Sequence, residues 1–72
     1  MQEKTTKVQL STLPIRLGQF LKVVNVVQDG MEAKIRIQYG EVSVNGEVET
    51  RRGKQLQKGD TVSYDGQAWV IK

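Results

Sequence analysis

The chain has 72 residues, of which 38% are hydrophobic and 26% charged, with a net charge of +3 and neither cysteine nor histidine. A chain this short buries only roughly 60% of its unfolded surface, so a single domain over residues 1–72 with one core is expected. Disulfides, thiolate or imidazole metal ligands and the commonest near-neutral acid–base side chains are excluded, and no apolar run approaches the ~20 residues of a membrane span. Neither a metal, a cofactor nor a membrane is expected as a partner. With no apolar h-region behind the first charges, no secretory signal is read, and a cytoplasmic location is the expectation.

In chain order, residues 1–6 read as a frayed start and Lys7-Val8-Gln9-Leu10, with apolar residues alternating, as an edge strand. Pro14 disfavours helix at Leu13. Beyond it Leu17, Phe20, Leu21 and Val24 recur at i, i+3, i+4 and i+7, one face of a helix that ends near Val24 or Asn25 as β-branched residues accumulate. Gln19, Lys22 and Asn25 fall on its polar arc.

Asp29-Gly30-Met31-Glu32 has the form of a capping box, predicting a second helix to about Tyr39. The same stretch, Ala33 to Tyr39, also alternates apolar and polar residues as a strand does, so local pattern leaves both readings open. Val42-Ser43-Val44-Asn45-Gly46-Glu47-Val48-Glu49 is a hairpin closed by Asn-Gly. A basic loop follows, then the turn Lys58-Gly59-Asp60, a strand Thr61–Tyr64, the turn Asp65-Gly66 and a closing strand over 67–71.

Charge is gathered in one place. Arg51, Arg52, Lys54 and Lys58 lie together with no acid among them, while Glu41, Glu47 and Glu49 precede them. Guanidinium groups match phosphate oxygens in bidentate geometry, and Gly53 permits close backbone approach, so the loop suits a polyanion. Phe20 and Trp69 are expected in the core, and Tyr39 is the aromatic left open for stacking. The acids occupy hairpins and turns, and no nucleophile–base pair presents itself, so an enzyme is not expected.

The series Arg16-Leu17-Gly18-Gln19-Phe20-Leu21-Lys22, Glu32-Ala33-Lys34, Gly40-Glu41-Val42-Ser43-Val44-Asn45-Gly46-Glu47-Val48 and Lys58-Gly59-Asp60-Thr61-Val62 resembles the RNA-binding domain of ribosomal small-subunit protein four, the alpha-L motif. The similarity covers about 15–64, and the stretch from Glu49 to Leu56 is similar to the stand-alone bacterial members known as YaaA and YbcJ. The resemblance implies an α+β fold, two packed helices followed by a small antiparallel sheet with the Asn-Gly hairpin. It also implies binding of structured RNA, ribosomal or transfer, across the helix faces and adjoining loop.

Residue by residue, the resemblance implies contacts from Arg16 and Lys34, where the family's motif has basic residues. Several positions depart from it: Gly18 stands where the broader pattern has an acid, Asp29-Gly30 where it has Ser-Arg, and the hairpin strand is acidic at Glu41. Arg36 occupies a usually apolar position. The candidate RNA-binding set is therefore Arg16, Gln19, Lys22, Lys34, Arg36, Gln38, Arg51, Arg52 and Lys54, with the loop given most weight. The expected role is a monomeric RNA-binding protein of ribosome assembly or translation, with ribosomal subunit proteins as further candidate partners. The alternative is a module that docks on an acidic protein in a ribosomal particle without touching RNA.

Overall fold

The protein is described by a computed structural model over residues 4–72. In order, it forms β1 (Lys4–Val8), β2 (Ile15–Arg16), α1 (Leu17–Val23), α2 (Gly30–Gln38), β3 (Val42–Val44), β4 (Glu47–Val48), β5 (Gln55–Leu56), β6 (Thr61–Tyr64) and β7 (Gln67–Ile71). The expected α+β class of two packed helices with a sheet is observed, with β1 and β2 preceding the helices.

The helix boundaries follow from local chemistry. At the start of α2 the Asp29 carboxylate accepts from the Glu32 amide at 2.9 Å, and the Glu32 carboxylate reaches back to the Gln28 amide at 2.7 Å, a variant of the capping box. Both helices end in the same 6→1 and 5→2 hydrogen-bonded cap. In α1 the Val26 and Asn25 amides donate to the Leu21 and Lys22 carbonyls, and in α2 those of Glu41 and Gly40 donate to Arg36 and Ile37. The cap residues Asn25 and Gly40 take the left-handed φ values of 66° and 76° that this turn requires. Asn25 is thus a helix cap first.

The ambiguous segment is a helix because its buried residues, Ala33 and Ile37, lie four apart, whereas Ile35, Met31 and Tyr39 are exposed. The alternation seen in the sequence reflects an apolar stripe on the outer face of α2. In α1 the buried Leu17, Phe20 and Leu21 are those of the predicted face, with Val24 packed at its margin. Each fully buried side chain of this size contributes roughly 1.5–3 kcal/mol.

The main sheet runs β1-β7-β6-β3-β4, with Val44, Val62 and Trp69 paired in one row across three strands and buried against the helices. Strands β3, β4, β6 and β7 are antiparallel, as expected, but β1 joins β7 in parallel, so the sheet is mixed. Strand β1, which precedes the helices, lies at one edge of the sheet beside the last strand, and β4 forms the other edge. The first strand also lies earlier than the expected 7–10: residues 4–6, read as part of a frayed start, pair with 67–69, and residues 1–3 lie outside the described residues. Because β1 is held by backbone pairing and carries only Val8 as an apolar residue, periodicity has little to register. A second sheet, β2 with β5, pairs Ile15 with Leu56 and Arg16 with Gln55; β5 falls where the sequence suggests only loop.

The Asn-Gly hairpin and the Lys-Gly-Asp turn, separate motifs in the sequence, are one unit in space. Asn45 (φ 52°) accepts from the Thr61 amide at 2.9 Å and donates to the Asp60 carboxylate at 3.1 Å, while Asp60 also accepts from the Gln57 amide at 2.8 Å. Asn45→Gly, which keeps the left-handed backbone but removes both side-chain bonds, is expected to cost about 1–3 kcal/mol in urea unfolding. Asn45→Ala is expected to cost roughly a further 1–2 kcal/mol, from the strain of a Cβ in that conformation.

Candidate nucleic-acid interface

The basic loop is fixed to the first turn of α1. A helix leaves its first amides without intrahelical partners, and α1 has no side-chain cap at Arg16. The loop supplies the acceptors: the Leu17 amide donates to the Lys54 carbonyl at 2.8 Å and the Gly18 amide to the Arg52 carbonyl at 3.1 Å. The β2–β5 pairing continues the same contact, holding Arg16 beside Gln55 at the loop's exit.

Gly18 acquires its purpose here. A Cβ at this position would stand 2.7 Å from Cγ and 3.3 Å from Cδ of Arg52, so the arginine's aliphatic stem crosses the helix where a side chain is missing. The departure from the broader motif is a seat for a second arginine. Around it lies an open cleft of about 350 Å³ lined by Arg16, Gly18, Gln19, Lys22, Gly30, Ala33, Arg52 and Gly53. Gly30 and Ala33 let α2 form a low wall. Arg16, Lys22 and Arg52, all exposed, make no ion pair among the described residues.

The remaining candidates are distributed differently. Lys34 is exposed on α2 one turn beyond Gly30 and does not line the cleft, and Gln38 is exposed a further turn along. Arg36 faces Glu41 at 3.4 Å on the opposite side of α2, beside a groove lined by Asp29, Met31, Glu32 and Ile35. Tyr64 and then Glu41 raise its pKa above the ordinary arginine value. Arg51, expected to be among the strongest contacts, is held by Glu49, with Nε to Oε2 at 3.0 Å and Nη2 to Oε1 at 3.2 Å. The Arg51 amide donates to the same carboxylate at 3.0 Å. Lys54 turns with Arg51 toward a hollow shared with Glu47 and Glu49. The basic run therefore divides, Arg52 going to the cleft and Arg51 and Lys54 to a mixed-charge surface.

The roles of Gly18 and Glu49, as the seat of Arg52 and the partner of Arg51, are not among those the sequence assigns. A glycine inside an apolar-periodic helix is itself a sign of close approach, and Glu49 stands two residues before Arg51, just outside the acid-free run.

The S4 domain model matches residues 8–72. The chain belongs to the S4 domain family. It is 44% identical over 59 residues, 82% of this chain and 83% of the relative, to a Bacillus subtilis protein named "Probable ribosome maturation protein RlbA". It is 40% identical over 52 residues, 72% and 74% of the two chains, to an Escherichia coli protein named "Putative RNA-binding protein YbcJ".

Two outcomes follow from the S4 domain's loop geometry. Gly18→Ala is expected to destabilise by about 1–3 kcal/mol, because a Cβ 2.7 Å from Arg52 Cγ overpacks the seat by more than helix propensity returns, while the Arg52 Nε–H resonance moves as its stem is displaced. The side-chain and then the backbone hydrogen bonds from Arg51 lower the Glu49 pKa from 4.5 to about 2. A depressed carboxylate stabilises the fold above its unfolded pKa and loses that contribution as pH falls through the folded value. Wild type and Glu49→Gln should therefore differ in stability above pH 4.5 and converge as pH approaches 2, which acid titrations of the two would measure.

Proposed function

We propose that this chain is a non-enzymatic RNA-binding protein that holds structured RNA, ribosomal or transfer, and acts in ribosome assembly or translation. The observation that carries this reading is the seating of Arg52 across Gly18 beside Arg16 and Lys22, three cations around one open cleft with no ion-pair partner among the described residues. Phosphates of a folded RNA would lie along that cleft, with Lys34 reaching the backbone beyond its α2 wall and the Gln19 amide available to a sugar or base edge. Since phosphate contacts position but do not specify, recognition would be mainly of shape. The family, and relatives named for RNA binding and ribosome maturation, support the same reading. No helix among the described residues is long and apolar enough to cross a membrane, and a cytoplasmic monomer is the form proposed.

Three or four neutralised phosphates give a fall of log affinity with log salt at a slope of about −2 to −4. Arg16→Gln, Lys22→Gln and Arg52→Gln should each flatten that slope by about one unit, and Arg36→Gln should leave it nearly unchanged. Fluorescence anisotropy with a ribosomal RNA fragment across a salt series measures this, and an affinity independent of salt would refute the reading. RNA should also copurify at low salt and leave at high salt. Copurifying protein without RNA would instead favour docking on an acidic partner.

A further inference from the structure

We propose that Glu49 is a positioning residue that withdraws Arg51 from RNA and fixes the 51–54 turn, so that Arg52 alone of the arginine pair reaches the phosphate backbone. This rests on the RNA reading above.

The geometry of the turn carries it. Glu49 is tied to the hairpin through its own amide, which donates to the Val42 carbonyl at 3.0 Å. From that anchor its carboxylate takes three hydrogen bonds from Arg51, one from the backbone and two from the guanidinium. The Lys54 amide then closes on the Arg51 carbonyl at 3.2 Å, and the Arg52 and Lys54 carbonyls receive the first amides of α1. The segment is held at both ends, by an acid at its entry and a helix terminus at its exit. Arg52 is directed to the cleft by this path.

An ordinary surface ion pair would yield to an arriving phosphate, because two flexible side chains in water hold each other weakly. Glu49 differs in two respects. Its side chain is only 14% exposed, against 73% for Arg51, and the backbone bond keeps the carboxylate at the base of the turn when the guanidinium swings away. A phosphate approaching Arg51 would meet a fixed negative charge directly behind it. Preorganisation of Arg52 and suppression of Arg51 thus come from one side chain, and the consequence is selectivity. A loop with both arginines loose would bind any polyanion more tightly, whereas the clamped loop presents one cation at a fixed distance from Arg16 and Lys22.

The test is the salt dependence of binding to a synthetic RNA stem–loop, with a single strand of the same composition as comparison. Arg51→Gln should leave the slope unchanged, Glu49→Gln should steepen it by about one unit, and the double variant should return to the wild-type value. Glu49→Gln should also narrow the preference for stem–loop over single strand. A slope flattened by Arg51→Gln as much as by Arg52→Gln, with Glu49→Gln neutral, would overturn the inference. Arg51→Gln retains the anchoring carboxylate and keeps the question answerable should Glu49→Gln unfold. Failure of Arg52→Gln to alter the slope would refute the cleft reading instead, with the Arg51 and Glu49 variants still deciding the clamp. Absence of any binding by the wild type would overturn both.

Discussion

The organising contact of this protein is the capping of one short helix by the backbone of a distant loop. Helix α1 has seven residues and no side-chain cap, so its first amides need acceptors from elsewhere. They find them in the carbonyls of Arg52 and Lys54, some 35 residues later in the chain. A requirement of helix stability thereby places a basic loop on a helix face. Shortening the loop or freeing it would leave α1 with orphaned donors as well as dispersing the cations.

The rest of the fold can be read as support for that junction. The β2–β5 pair carries the loop's exit alongside the helix's entry, and the Asn45–Asp60 link joins the hairpin before the loop to the turn after it. Leu17, Phe20 and Leu21 bury the opposite face of α1 among Ile37, Leu56 and the sheet. Polar and apolar faces of one helix thus divide the work, with the core holding α1 in place and the loop building a charged cleft on what remains exposed. The outer stripe of Met31, Ile35 and Tyr39, the last 78% exposed, lies on α2 away from those cations.

Much of this architecture is legible in the residues themselves. The period of Leu17, Phe20, Leu21 and Val24 marks α1, Asp29 and Glu32 mark the start of α2, and Asn45-Gly46 marks the hairpin, because each signal arises from interactions local in sequence. What escapes notice is non-local. Strand β1 is defined by backbone pairing with β7, for which Lys4-Thr5-Thr6-Lys7 carries no apolar signature. At the site, a count of charges groups Arg51 with Arg52, yet the two point into different surroundings because Glu49 captures one and Gly18 seats the other. Clustering along the chain was a fair guide to where cations gather and a poor one to which of them remain unpaired.

RNA is proposed to meet the protein in the cleft between α1, the start of α2 and the 51–54 loop. The most direct measurement is an amide NMR titration of the full chain with a ribosomal RNA stem–loop. The largest shifts are expected at Gly18, Gln19, Lys22, Gly30 and Gly53, with little change at the outer stripe of α2 or along β1. Shifts concentrated at Met31, Ile35 and Tyr39, with Gly18 and Gly53 unmoved, would contradict this placement.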